Sequence, residues 1–288
     1  MTTDAAFFAW LPALRATFSF FFQLAPAGLA FFAACHIIRH AFTRSPMHLR
    51  LIRQIFPWAA ALEILRLAVI ALSRFALPPA GTRAASGQAL AEPLLSGAPA
   101  LASLILLVLA VRFAARAING AALCAALGCL ANLIFLFLLA GIIRHNPAAG
   151  TMAVWPPCAA FILFSPAAGI CLAELRILLR RAKDDFGRDY YAFALRACAG
   201  PAGLSALGSA AFTAVSATAA QPNPAAPFFL HWGTAAVLLF LIAAVLWLLI
   251  SRSTTPLRHK ASCTLAPALI AAALFCACAA FLPVPDVF

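Results

Sequence analysis

Charged residues are scarce in this chain. Only 10% of its 288 residues are Asp, Glu, Lys or Arg, whereas 65% are hydrophobic. A soluble domain usually carries about 25% charged residues, so this composition excludes an ordinary soluble protein. The mean hydropathy of +1.00 agrees with that exclusion. A lipid bilayer is therefore the expected environment, and the expected partner, of most of the chain.

Several enzyme and metal-binding motifs are also missing. The sequence contains no nucleotide-binding glycine loop, no HExxH and no GxSxG motif. Its nine cysteines include no CxxC pair, which argues against an iron–sulfur cluster or a zinc site within the chain. Most of them lie inside apolar runs, where cysteine behaves as a small hydrophobic residue.

Long apolar runs fill the space between short polar connections. A helix that crosses a bilayer needs about 20 mostly apolar residues, and it satisfies its own backbone polar groups. We therefore predict an all-α integral membrane protein with about eight transmembrane helices. The predicted spans lie near residues 15–37, 55–77, 97–116, 120–143, 152–175, 192–216, 228–250 and 262–282.

The first and fifth spans share a short pattern. Phe22–Gly28 reads FQLAPAG, and Phe164–Gly169 reads FSPAAG. Four spans separate the two copies, as in a parallel repeat of two four-helix bundles. Chance similarity in an alanine-rich sequence is the alternative. We predict one polytopic membrane domain over residues 1–288, which divides into halves 1–145 and 146–288 if the repeat is real.

Basic residues dominate the charge, with a net charge of +12. Their positions follow membrane topology and give no reason to expect a nucleic-acid partner. Lys and Arg accumulate on the cytoplasmic side of membrane proteins, so the connections that hold most of them are predicted to face inward. An even number of spans then places both termini outside. The connections after spans one, three, five and seven hold fifteen of the 20 basic residues: Arg39, Arg44, Arg50, Arg53, Arg112, Arg116, Arg176, Arg180, Arg181, Lys183, Arg188, Arg196, Arg252, Arg258 and Lys260.

Ionisable side chains inside or beside the spans are candidates for function, because they are costly in lipid. Glu63 and Arg66 lie three residues apart in the second span and share a helix face. They predict either a structural ion pair or a proton route.

Glu92 precedes the third span at the outer boundary, in the same connection as Arg83. A carboxylate at this depth can accept a proton released by quinol oxidation. The alternative is a charge that only stabilises the start of a helix.

Histidines do not follow the pattern of a membrane haem site. His36, His40, His48 and His259 are predicted on the inner side, and His145 and His231 near the outer side. No span carries two histidines on one face about four turns apart. We therefore expect no haem.

Three segments resemble the membrane-anchor subunit of dimethyl sulfoxide reductase-type molybdoenzymes, the DmsC family. Phe18–Gln23 followed by Gly28 is similar to that family's Phe-Ser/Thr-x-Phe-x-Gln run and its glycine. The stretch from Thr82 to Gly97 is similar to its arginine-containing loop, which leads to a glutamate at helix three. Trp155-Pro156, with Phe161 and Gly169, is similar as well. The resemblance extends over nearly the whole chain.

This resemblance implies a multi-pass subunit of the bacterial inner membrane that serves anaerobic respiration, with both termini periplasmic. It implies no catalytic centre, haem or iron–sulfur cluster of its own. The chain would anchor an iron–sulfur subunit and a molybdopterin catalytic subunit, and it would oxidise menaquinol near the outer face. Arg83, Glu92 and Gln23 would bind the quinol, and Glu92 would be the reactive carboxylate.

The sequence departs from the family pattern at several points. The family's His-Leu-Gly-x-Pro reads Phe75-Ala-Leu-Pro78-Pro79 here, and its Trp-Arg at helix seven reads Trp232-Gly233. The Glu and aromatic end expected in helix eight is replaced by an Ala- and Cys-rich run. Anchoring without quinol oxidation is therefore an alternative. Two other functions are also alternatives: a transporter or channel-type protein, and a b-type cytochrome subunit.

The charge asymmetry predicts the topology directly. Reporter fusions after Arg188 and after Lys260 should report the cytoplasm, and a fusion at the C-terminus should report the outside, because basic connections stay inside. A C-terminal fusion that reports the cytoplasm would contradict the prediction of eight spans with both termini outside.

Overall fold

The structure is a computed structural model that describes residues 3–76, 88–114, 116–144, 155–181, 183–184, 186–219 and 226–281. These residues form long α-helices and no β-strand. A short 3-10 helix, Pro256–Arg258, follows the seventh helix. The helices are α1 (Thr3–Thr43), α2 (Pro46–Ala76), α3 (Gln88–Phe113), α4 (Ile118–Arg144), α5 (Trp155–Arg180), α6 (Gly187–Ala219), α7 (Ala226–Arg252) and α8 (Lys260–Phe281).

The predicted all-α membrane fold is confirmed. Seven of the eight helices are long and apolar enough to cross a membrane within the described residues. The helix α3 differs, because its described apolar stretch, Gly97–Phe113, is shorter than a full span. The chain is thus a multi-pass membrane protein.

The helices extend beyond the predicted spans at many ends. The helices α1 and α2 are separated only by Arg44 and Ser45, so Arg39, Arg50 and Arg53 are helical rather than part of a loop. Arg44 ends α1 in the left-handed region, with φ 55, and its N–H bonds the His40 carbonyl at 2.9 Å. Hydropathy detects the part of a helix that suits lipid, and a polar extension beyond it has no such signal.

The described chain divides into two compact units. The first unit is Pro26–Ile162, and the second combines Met1–Ala25 with Leu163–Phe288. The proposed halves, 1–145 and 146–288, stay a prediction.

Small side chains form the helix contacts of the first unit. The helix α3 packs against both α2 and α4. Alanine is frequent at these contacts because small residues let helix backbones approach closely in a membrane, where no hydrophobic effect drives helices together. One buried cluster of this unit contains Ala34, Ile37, Ile52, Ala110, Ala114, Ala121 and Ala125.

The second unit also depends on small residues, here along α6. This helix packs against α7, which packs against α8. A Cβ atom added at Gly203 would lie 3.3 Å from Cγ of Leu248 and 3.4 Å from the Ala244 carbonyl oxygen, both in α7. Glycine at this position therefore sets the close approach of α6 to α7.

A side chain of α6 completes the hydrogen bonding of α5. Pro166 lies inside α5 and has no N–H to donate. Next to it, the Ala167 N–H donates to the Ser205 hydroxyl at 3.0 Å, and that hydroxyl donates to the Leu163 carbonyl. A proline in a membrane helix is tolerated when a neighbouring Ser or Thr satisfies the backbone groups around it.

This contact gives a test of stability. Ser205→Ala should lower the free energy of unfolding by ~1 kcal/mol, because two backbone groups of α5 lose a partner away from water. Thermal unfolding of the purified chain in detergent measures it. Ser209→Ala is the matched control, since among the described residues the Ser209 hydroxyl donates to the Ser205 carbonyl of its own helix, at 2.9 Å, and to no other helix. Equal effects of the two variants would contradict the bridging role.

Candidate functional site: ionisable groups inside the spans

The residues predicted to bind quinol are only partly described. Arg83 lies outside the described residues. Glu92 is in the first two turns of α3, which begins at Gln88, and its side chain is not described. Gln23 is half-buried in α1. The quinol site formed by these three residues stays a prediction.

Glu63 and Arg66 form an ion pair that is completely buried within α2. Nη2 of Arg66 contacts Oε2 of Glu63, and both side chains have 0% exposure. Placing two charges in a low-dielectric medium is costly, and their mutual attraction offsets the cost only when the geometry is good and further hydrogen bonds are made. The proton route through this pair stays a prediction.

Further hydrogen bonds connect Arg66 to two other helices of the first unit. Arg66 donates from Nη2 to Oδ1 of Asn132 in α4 at 3.2 Å. Asn132 in turn donates from Nδ2 to the Ser103 hydroxyl in α3. The guanidinium carbon lies 4.2 Å from the ring centre of Phe135, a cation–π contact. A charge on α2 is therefore stabilised by α3 and α4.

Part of this polar cluster has no hydrogen-bond partner among the described residues. These atoms are Oε1 of Glu63 and Nε and Nη1 of Arg66. Buried polar groups are usually bonded to protein or to ordered water. These two donors and one acceptor can therefore bind ordered water or a small polar ligand.

A second buried carboxyl, Glu174 in α5, has a different environment. Glu174 has 0% exposure. Nε1 of Trp247 in α7 donates to Oε2 of Glu174 at 2.8 Å, and the Cys263 thiol of α8 faces the same carboxyl group. Oε1 makes no hydrogen bond among the described residues.

Glu174 was not among the residues predicted from the sequence. Its one signal is its position, because it is an acidic residue inside the apolar stretch of Cys158–Arg180. Neither Trp247 nor Cys263 is near it in the sequence, so the partners of this carboxyl depend on the packing of α5, α7 and α8.

Histidines of α1 and α2 pair at the end of these helices. Nδ1 of His36 lies 2.8 Å from Nδ1 of His48, so one ring donates to the other. Nδ1 of His40 donates to the Ser45 carbonyl at 2.9 Å. These three nitrogens are therefore engaged in hydrogen bonds within the first unit.

No group of three or more His, Cys, Asp or Glu is placed to hold a metal ion in the part of the chain that the structure describes.

Comparison with known proteins gave no match to a family model, a curated protein or a solved structure. The resemblance to the DmsC family thus rests on its motifs.

The buried ion pair gives a second test of stability. Arg66→Met should lower the free energy of unfolding by about 3–5 kcal/mol, because it leaves the Glu63 carboxylate buried without its partner. Adding Glu63→Gln should restore much of the loss, since the double variant has no buried charge at this position. Chemical unfolding of the three proteins measures the difference. A double variant that is less stable than Arg66→Met would contradict mutual compensation of the two charges.

Proposed function

We propose that this chain is the membrane anchor and quinol-oxidising subunit of a molybdopterin and iron–sulfur oxidoreductase. It passes electrons from menaquinol to an iron–sulfur partner and holds the catalytic subunit at the bacterial inner membrane. The observation that supports it is the place of the three family-like segments. The first segment is at the start of the first span, the described part of the second, from Gln88, forms the first turns of α3, and the third is in the first half of α5. Each is on the predicted outer side.

The chemistry of this function needs few groups from the chain. Oxidation of menaquinol to menaquinone releases two electrons and two protons. The electrons go to the iron–sulfur partner, and a carboxylate near the outer face accepts a proton. Glu92 is assigned that role, and Arg83 and Gln23 hold the quinol head group by hydrogen bonds. The chain itself binds no substrate of the molybdenum site.

Glu92 has a further property that suits this role. It lies in the second turn of α3, close to the connection that is predicted to face the outer side. A carboxylate there is available as a proton acceptor, and the outer connection gives the proton a way to leave.

A transporter or channel-type protein is the second candidate. The observation in its favour is the set of ionisable side chains inside the spans, Glu63, Arg66 and Glu174, since such groups commonly mark the pathway of an ion or a solute. This candidate requires no redox partner.

Purification from native membranes separates the two candidates. The anchor should copurify with an iron–sulfur polypeptide and a molybdenum polypeptide, and the complex should oxidise a menaquinol analogue. A homogeneous chain that carries no redox partner and moves a solute across vesicles would overturn the proposal. Genes for a ferredoxin-like and a molybdopterin protein beside this one would support it.

Glu92→Gln tests the quinol site itself. The complex should assemble and stay in the membrane, but its rate of menaquinol oxidation should fall by at least ~100-fold, the lower range for loss of a general base. Turnover with an artificial dye that reduces the catalytic subunit directly should be unchanged.

Asp189→Asn is the matched control, because Asp189 is an exposed carboxylate in the first turn of α6, at the predicted inner side. It should leave both activities unchanged. A Glu92→Gln complex that oxidises the menaquinol analogue at the normal rate would reduce Glu92 to a helix-terminal charge.

A further inference from the structure

Glu63 and Glu174, the two carboxyl groups that are completely buried among the described residues, differ in what neutralises them. Glu63 contacts the Arg66 guanidinium. Glu174 takes part in neither of the two ion pairs among the described residues, which are Glu63–Arg66 and Arg180–Asp184. An ionised carboxylate without a counter-ion is several kcal/mol too costly for a low-dielectric interior, so Glu174 needs another way to become neutral.

Every helix packed around Glu174 supplies an uncharged group. Cys171 of α5 and Cys198 of α6 lie near the carboxyl. Trp247 of α7 bonds to it, and Cys263 of α8 faces it. None of these side chains is a cation, so neutralisation must come from a proton.

The hydrogen-bonding groups at the site suit a carboxylic acid. Oε2 accepts the Trp247 indole N–H at 2.8 Å, as the carbonyl oxygen of an acid does. Oε1 has no hydrogen-bond donor among the described residues, which would leave a carboxylate oxygen unsatisfied. The Cys263 thiol interacts with the same carboxyl group, and its sulfur is a weak acceptor that the O–H of an acid can use.

A cleft lies between the end of α5 and the start of α8, beyond Glu174 along α5. It has a volume of about 440 Å³ and is lined by Leu178, Arg181, Lys260 and Thr264. Leu178 is one helical turn after Glu174 on the same face of α5. Two of the four lining residues, Arg181 and Lys260, are charged, so water can enter the cleft from the predicted inner side.

We propose that Glu174 is a proton-binding site of the inner half of the membrane, which exchanges its proton with the inner aqueous side through this cleft. The neutral acid is its resting form, and Trp247 holds the carbonyl oxygen. The site is separate from the predicted quinol site, which is on the outer side at α3, and it does not depend on the proposed redox function.

Infrared spectroscopy of the full chain in phospholipid bilayers tests the proposal. The C=O stretch of a protonated carboxyl group is separate from carboxylate bands. At neutral pH we expect this band in the wild type, its loss in Glu174→Gln and its retention in Glu63→Gln, because Glu63 is an ion-paired carboxylate. Trp247→Phe should shift the band to higher wavenumber, since the carbonyl loses its hydrogen bond.

Exchange through the cleft is tested in the same samples. Transfer to heavy water should lower the wavenumber of the band, and Leu178→Trp, which fills the cleft, should slow that shift by at least ~10-fold in rate. A strongly alkaline buffer should remove the band.

A band that Glu174→Gln leaves unchanged would overturn the proposal. A band that neither shifts in heavy water nor disappears at alkaline pH would overturn it as well. If the Glu174→Gln protein does not insert into the membrane, the shift of the C=O band in Trp247→Phe is the deciding measurement. A band that Trp247→Phe does not shift would show that it does not come from Glu174.

Discussion

The absence of water from the hydrocarbon core is the constraint on which this structure depends. Each polar group inside a span needs a partner from the protein, and several of these partners are on other helices. The Ser205 hydroxyl bridges α5 beside Pro166. Asn132 supports the guanidinium of Arg66. The Trp247 indole bonds to the Glu174 carboxyl. These contacts fix the mutual orientation of helices that van der Waals packing of small residues alone would leave free to slide.

Sequence could predict the eight helices because lipid demands a long apolar run for every span. It could also place Glu63 and Arg66 on one face, since their spacing of three fixes that within a single helix. It could not place Asn132 and Ser103 beside Arg66, or Trp247 and Cys263 beside Glu174, because these partners are distant in the sequence and meet only through tertiary packing. The helical extensions that contain Arg39 and Arg50 could not be predicted for another reason, because a polar part of a helix does not raise the hydropathy of the sequence.

The two proposals concern different sides of the predicted topology. In the proposed function, quinol oxidation takes place on the outer side near Glu92, whereas the proton exchange proposed for Glu174 takes place with the inner side. The buried ion pair Glu63–Arg66 has no net charge, and its hydrogen bonds through Asn132 and Ser103 connect α2 with α4 and α3. An anchor with an inner proton site would have a means to respond to the pH of the cytoplasm, independent of its electron transfer.

The central claim is that the polar partner of each buried carboxyl group decides its charge, which is Arg66 of the same helix for Glu63 and Trp247 of α7 for Glu174. The chain has three glutamates, at positions 63, 92 and 174, so ¹³C labelling of the glutamate carboxyl carbon gives three NMR signals that single Glu→Gln variants assign. At neutral pH in lipid bilayers, the account predicts a carboxylate signal for Glu63 and a carboxylic-acid signal for Glu174. A carboxylate signal for Glu174, or the same protonation state for both buried residues, would contradict it.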